Sequence, residues 1–333
     1  MMPASRVAAI DCGTNSIRLL IADLSPERPS AFARGASDGS ASTRAGTVTD
    51  IVRRMEIVRL GEGVDRTGRL AEAAVERTIS ALRGYADLIN ARGAQAVRMV
   101  ATSASRDAEN SADFTRRVKE VLGVEPEVVS GEEEAALSFA GATRELTGEY
   151  GQPFLVADIG GGSTEFVLGP GAIGGSTATT AHMSVNIGCV RLTERHLHGD
   201  PPLTEEIAAT TNDIDAVLDQ VAASVPVTEA KTFAGLAGSV TTIAAIALDL
   251  DHYDSERVHH SRITAARVHE ITERLLAATR AERAAIPVMH PGRVDVIGSG
   301  ALILDRIMTR FGFTEVLVSE HDILDGIAWS LVE

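Results

Sequence analysis

Leu155-Val156-Ala157-Asp158-Ile159-Gly160-Gly161-Gly162-Ser163-Thr164-Glu165-Phe166-Val167-Leu168 is the stretch of this chain best equipped for chemistry. An apolar run ends in an acid, three glycines and two hydroxyls follow, and a second acid opens another apolar run. The pattern predicts a β-hairpin whose turn cradles an anion. Glycines let backbone N–H groups approach a phosphate with no Cβ in the way, and the flanking acids can hold a divalent cation. An ordinary glycine-rich turn would use the same residues. The chain, however, writes the pattern twice. Val7-Ala8-Ala9-Ile10-Asp11-Cys12-Gly13-Thr14-Asn15-Ser16-Ile17-Arg18-Leu19-Leu20-Ile21 lies over it without a gap, Asp11 on Asp158, Gly13 on Gly160 and Ser16 on Ser163. Recurrence about half a chain later predicts two similar lobes with a phosphate in the cleft between them.

Other polar groups stand where elements would aim them. Residues 96–101 read as a short strand that delivers Thr102-Ser103-Ala104-Ser105-Arg106-Asp107 to its C-terminal end, where open α/β sheets bind ligands. Ser130-Gly131-Glu132-Glu133-Glu134 opens a helix to about residue 145. Ser130 and Glu133 match a capping box and Glu132 suits the positive end of the helix, which leaves Glu134 without a structural task. Residues 231–248 read as strand, glycine turn and helix; Gly235 and Gly238 either admit a ligand to the backbone or serve tight packing, and Ser239 is the expected helix cap. His252, His259 and His260 lie near acids, but their spacing fits no compact metal set. Cys12 and Cys189 are expected as reduced, buried thiols.

The elements that must position these groups follow from apolar periodicity. Helices are expected over 70–92, ended by Gly93, over 110–122 and 204–221, across a long stretch at 261–286, either continuous or broken, and at 323–332. Strands are expected at 51–60, 124–129 and 314–318, and at 184–196 a strand turns into a helix at Gly188. Residues 294–308 read as a strand end, a Gly298-Ser299-Gly300 turn and a helix. Residues 25–50 read as a mobile loop and 169–181 as a loop or strand connection. With 333 residues and 44% hydrophobic content the chain can fill two cores. No linker run separates them, so the division falls near residue 125, giving domains 1–125 and 126–322 with the helix of 323–333 free to pack back on the first. No apolar run nears the ~20 residues of a membrane span and no signal-peptide pattern opens the chain, so a cytoplasmic protein is expected. A net charge of −15 argues against a general nucleic-acid or anionic-membrane surface. A polyanion would have to be met locally, by arginines, helix N-termini and a metal ion.

Asp11-Cys12-Gly13-Thr14-Asn15-Ser16, Thr102-Ser103-Ala104-Ser105-Arg106, Ser130-Gly131-Glu132-Glu133-Glu134-Ala135, Asp158 to Glu165 and Ile187-Gly188-Cys189-Val190 occur in the order seen in the Ppx/GppA family. Over essentially its whole length the chain resembles these exopolyphosphatases and guanosine pentaphosphate phosphohydrolases of the actin and sugar-kinase superfamily. The resemblance implies an α/β fold of two actin/ribonuclease-H-like domains, mixed sheets flanked by helices, with the active site in the interdomain cleft. It implies hydrolysis of the terminal phosphoanhydride of inorganic polyphosphate to release orthophosphate. Guanosine pentaphosphate 5′-phosphohydrolase is the alternative; a superfamily kinase and a non-catalytic alarmone or polyphosphate sensor are remoter ones. Carried over by position, Glu134 would orient and deprotonate water and Arg106 would contact substrate phosphate. Asp158 and Glu165, with Asp11 as a further candidate, would bind Mg²⁺ or Mn²⁺. Gly13, Thr14, Asn15 and Ser16 would form one phosphate loop, and Gly160, Gly161, Gly162, Ser163 and Thr164 the other. The turn at 235–239 corresponds to the superfamily's nucleoside-binding turn, and a homodimer is a family-level expectation. Two departures stand out: Ala136 sits where many members carry Arg, and the chain ends at Glu333 where longer members append a helical domain. Preference for short polyphosphates is the expectation drawn from the second.

Overall fold

The computed structural model describes residues 5–25, 28–29, 43–44, 47–144, 146, 150–173, 176–177 and 179–332. In chain order its strands are β1 (Ser5–Cys12), β2 (Ser16–Ser25), the two-residue β3 (Arg28–Pro29) and β4 (Thr43–Arg44), β5 (Thr47–Ile57), β6 (Ala96–Ala101), β7 (Glu127–Val128), β8 (Phe154–Ile159), β9 (Thr164–Gly169), the two-residue β10 (Ala172–Ile173) and β11 (Ser176–Thr177), β12 (Ala181–Val185), β13 (Thr232–Leu236), β14 (Arg262–Thr264) and β15 (Glu315–Val318). The helices are α1 (Val64–Thr67), α2 (Glu72–Arg92), α3 (Ser103–Asp107), α4 (Ser111–Leu122), α5 (Gly131–Thr143), α6 (Cys189–His196), α7 (Thr204–Ser224), α8 (Ala237–Ala247), α9 (Ser255–Val258), α10 (Ala265–Ala277), α11 (Arg280–Ala284), α12 (Ile297–Phe311) and α13 (Ile323–Trp329).

These elements form two mixed sheets flanked by helices, ordered β5-β2-β1-β6-β7 and β12-β9-β8-β13-β15-β14. Each is built on an antiparallel hairpin, β1-β2 or β8-β9, continued by parallel strands, β6 and β7 in one sheet and β13 and β15 in the other. Both faces of each hairpin are buried, which is why its strands read as apolar runs rather than as an alternation. Helices α2 and α4 cover one face of the first sheet, with Leu82, Tyr85, Phe114 and Val118 in the core. α13 covers the other through Ile323, Leu324, Ile327 and Trp329. α5 lies against β8, β9 and β12 of the second sheet through Ala135, Phe139 and Ala142. α5 and α13 cross backbone to backbone: a Cβ on Gly141 would stand 1.9 Å from the Asp322 carbonyl oxygen, and one on Gly326 2.0 Å from that of Leu137.

Several expectations need correction. Gly298-Ser299-Gly300 is no turn but the first part of the buried helix α12. A Cβ on Gly300 would lie 2.2 Å from the Ser239 hydroxyl, so glycine there serves close packing of α12 on α8, which overrides its poor helix propensity. Ser239 is not a cap: α8 starts at Ala237 behind Leu236, with no side-chain cap. Arg106 sits in the short helix α3, which follows directly on β6. The region 261–286 opens with a strand and breaks at Thr279, whose hydroxyl and Glu282 form the capping box of α11. Of the loop expected over 25–50, residues 26–27, 30–42 and 45–46 lie outside the described residues, 28–29 pair with 43–44, and 47–50 pair with β2.

Candidate active site

Strand alternation decides where the acids point. In β1, Ala8, Ile10 and Cys12 join the core under α2, while Val7 and Ala9 face α13, so Asp11 faces α13 as well. In β8, Leu155, Ala157 and Ile159 face one core while Phe154 and Val156 face α5, which puts Asp158 on the α5 side. The hairpin registers set Asp11 opposite Arg18 and Asp158 opposite Glu165. Arg18 and Glu165 are therefore the same position of the repeated pattern, filled by opposite charges. Both turns close alike, Gly13 N–H donating to Ser16 O at 3.0 Å and Gly160 N–H to Ser163 O at 3.0 Å.

The two turns meet across a cavity of about 100 Å³. Asp11, Gly13, Thr14, Asn15, Ser16, Glu134, Asp158, Gly160, Gly161, Ser163 and Glu165 lie on its wall. Three expected residues stand behind it. Thr164 is buried and donates to Ile187 O at 2.7 Å. Gly162 presses on the other loop: its Cβ would fall 2.5 Å from Ser103 Oγ and 2.7 Å from Thr14 Oγ1, two hydroxyls themselves bonded at 2.8 Å. Arg106 donates from Nη1 to Val129 O at 3.1 Å and to Glu134 Oε2 at 3.0 Å. Its other N–H groups take no hydrogen bond among the described residues.

Ser130 Oγ accepts from Glu133 N–H at the start of α5, which is half of the expected capping box; the Glu133 carboxylate pairs with Arg98 instead of returning to Ser130, and Glu134 follows on the next bond of the helix, buried. Burial pushes its carboxyl up to about 7, against the pull of Arg106 and with a further push from Asp158 and Asp11. Asp158 is pushed up to about 6, by burial first and then by Asp322, although Ser138 Oγ donates to its Oδ2 at 2.6 Å. Glu165 is raised well above the ordinary carboxylate range by burial and by the charges of Glu134 and Asp158, while accepting at 2.7 Å from Ser184 Oγ. Asp11 is raised by burial despite Arg18, which donates to its Oδ2 from Nε and Nη2 at 2.9 and 2.7 Å.

This acid cluster fits a hard divalent cation. The donors are carboxylate oxygens, each disfavoured as an anion first of all by burial, and among the described residues the buried Asp11 Oδ1 has no hydrogen-bond partner. Among the described residues no three ligating side chains converge as a finished cage. Mg²⁺ does not require one, since it is commonly held by one or two carboxylates together with phosphate and water. Of the three histidines singled out in the sequence, His259 stacks on His260 with ring centroids 3.7 Å apart and lies tilted against His321 at 4.6 Å, while His252 is exposed and bonds Asp251 at 2.6 Å.

Four residues of the site were not legible in the sequence. Arg18 bridges Asp11 to Asp322, the N-cap of α13, whose Oδ1 accepts from Leu324 N–H at 3.0 Å. The Asp322-Ile323-Leu324-Asp325 capping pattern marked that helix start. Ser138, one turn beyond Glu134, shares its helix face. Arg293 donates from Nη1 to Gly238 O and Thr242 Oγ1, both at 2.7 Å; burial lowers its pKa, and its guanidinium fills the space a Cβ on Gly238 would need. Gly238 thus admits a side chain, while Gly235 packs on Val240 and Val316. Arg18 and Arg293 also border an adjoining cavity of about 420 Å³.

A site of two opposed phosphate turns, a carboxylate cluster and a buried glutamate at a helix start can bind a phosphate, neutralise it and activate water. Exopolyphosphatase 2 of Mycobacterium tuberculosis is 46% identical over 99% of both chains. A solved exopolyphosphatase-like protein superposes with a TM-score of 0.87 at 39% identity, covering 98% of each chain. The Ppx/GppA family member of Aquifex aeolicus gives a TM-score of 0.76 at 30% identity, over 99% of this chain and 98% of that one. With residues 41–333 matching the Ppx/GppA phosphatase family as well, the chain belongs to that family.

Proposed function

We propose that the protein is an exopolyphosphatase that hydrolyses the terminal phosphoanhydride of inorganic polyphosphate. The observation that carries this reading is Glu134, a buried carboxyl pushed up to about 7 on the wall of a cavity framed by two phosphate turns. It is supported by the full-length similarity to a protein named Exopolyphosphatase 2.

In this reading the turns at 13–16 and 160–164 grip the terminal phosphate. The carbonyls of Thr14, Asn15, Gly160 and Gly161 are bonded away to Gly61, to Val58 and Arg59, and to the start of α6. Planar trans peptides turn the N–H groups that follow them to the opposite side. Arg106 holds Glu134 Oε2, favours its ionised form and leaves Oε1 to receive a proton from water; its unbonded N–H groups are the ones available to phosphate. Asp158 and Glu165, with Asp11, would hold Mg²⁺ or Mn²⁺, and the bound ion would supply charge neutralisation at the phosphate. Ser138 and Ser184 fix the orientations of Asp158 and Glu165. Guanosine pentaphosphate is the second substrate to test, because the adjoining cavity beside Ala237, Gly238 and Tyr253 has room for a nucleoside.

The test is phosphate release from defined polyphosphates and from guanosine pentaphosphate, side by side, with and without Mg²⁺, for the parent and Glu134→Gln. The variant is expected to lose ~10² to 10⁴ in kcat while keeping its circular dichroism and its affinity for orthophosphate. Near-parent turnover would remove Glu134 from the mechanism, and a parent that releases no phosphate from polyphosphate would end the reading.

A further inference from the structure

The loop at 160–164 is shaped from behind by one helix start. Cys189 N–H donates to Gly160 O at 3.0 Å, and Val190 and Arg191 N–H donate to Gly161 O at 2.9 and 3.1 Å. Gly188 allows this approach, since a Cβ there would stand 2.4 Å from Gly161 O. The next carbonyl, that of Gly162, finds no main-chain donor among the described residues, because Leu192 N–H is already engaged by Gly188 O. The Arg191 side chain takes it instead, Nε donating to Gly162 O at 2.7 Å. Three successive carbonyls are drawn to one side, so the N–H groups of Gly161, Gly162 and Ser163 are left on the other, where Gly161 and Ser163 line the cavity. Such a run of N–H groups is an anion nest.

The far end of the same guanidinium reaches the opposite lobe. Nη1 bonds Asp65 of α1, and Nη2 bonds Asp107 of α3 at 2.6 Å. α3 also carries Ser103, whose hydroxyl bonds Thr14 of the first phosphate turn and meets Gly162. The first turn needs no such device, its Thr14 and Asn15 carbonyls being held by main-chain N–H groups. The Arg191 side chain is only 12% exposed, and its charge is met by two carboxylates, so it offers no free charge to a ligand.

We propose that Arg191 is a positioning residue: it completes the nest of the second phosphate turn and sets that turn against the first. The inference rests on reading residues 160–164 as a phosphate loop. Lysine keeps the charge, but its three N–H groups radiate from one nitrogen and cannot span the Gly162 carbonyl, Asp65 and Asp107 as the planar guanidinium does.

The test measures orthophosphate affinity by calorimetry, and KM and kcat on tripolyphosphate, for the parent, Arg191→Lys and Arg195→Gln. Arg195 pairs with Asp65 and Asp213 at the same junction but bonds no loop carbonyl. Arg191→Lys is expected to weaken orthophosphate binding and raise KM by about tenfold, with kcat changed far less. Arg195→Gln is expected to match the parent. Parent-like affinity and KM in Arg191→Lys would overturn the proposal, as would an equal loss in Arg195→Gln, which would mark general adhesion of the lobes. If Arg191→Lys does not fold, the double variant Asp65→Asn/Asp107→Asn decides: weakened orthophosphate binding supports the proposal and parent-like binding overturns it. A parent that binds orthophosphate yet cleaves no polyphosphate defeats the functional reading alone, and the binding measurements still decide the role of Arg191.

Discussion

Glu134, Asp158 and Glu165 are each held toward the protonated form first by burial and then by neighbouring carboxylates, Asp158 and Asp11 acting on Glu134, Asp322 and Asp11 on Asp158, and Glu134 and Asp158 on Glu165, and this has a measurable sign. A carboxyl that ionises near 4.5 in the unfolded chain and at about 7 in the fold binds more protons when folded throughout that interval. The metal-free protein should therefore lose stability as pH rises from 4.5 to about 7, with Asp158 contributing from 3.8 to about 6. Urea midpoints across this range should fall, and Glu134→Gln should flatten the fall; an identical slope in parent and variant would contradict the assigned shift. Glu134 was legible in the sequence because helix initiation at Ser130 accounted for its neighbours. Ser138 and Arg293 were not, since their partners at Asp158, Gly238 and Thr242 are brought near only by packing.

At the scale of elements, both hairpins, β6, α5 and the strand-to-helix bend at Gly188 were legible from apolar periodicity and caps. Glycine was the ambiguous signal. It marks turns in both hairpins, but in α12 it marks close approach to the Ser239 side chain and at the crossing of α5 with α13 contact between backbones, and sequence alone does not separate these uses. The distinction predicts substitutions of opposite sign. A Cβ at Gly84, inside α2, would meet nothing within 4 Å, so Gly84→Ala should stabilise by about 0.5–1 kcal/mol. Gly141→Ala drives a methyl against the Asp322 carbonyl and should destabilise by ~1–3 kcal/mol or more. It should also lower activity, because α5 carries Glu134 and Ser138 while Asp322 anchors Arg18. Denaturant midpoints of the two variants check both signs.

The whole molecule carries a net charge of −15 while offering its cavity to a polyanion. Long-range repulsion should slow the encounter, and screening should relieve it. At fixed Mg²⁺, kcat/KM on polyphosphate should thus rise as monovalent salt increases toward ~0.15 M, where the Debye length is about 8 Å. A steady fall would show that local arginines govern capture instead. The cleft itself joins two copies of one hairpin, with Arg18 in the first where Glu165 stands in the second. Inorganic polyphosphate is the same molecule read from either end, and a cradle of true twofold symmetry would seat it equally well both ways round. Exchanging a cation for an acid at one matched position abolishes that equivalence. The direction in which such a chain is shortened is then a property of the protein, set by a broken symmetry, and not of the substrate.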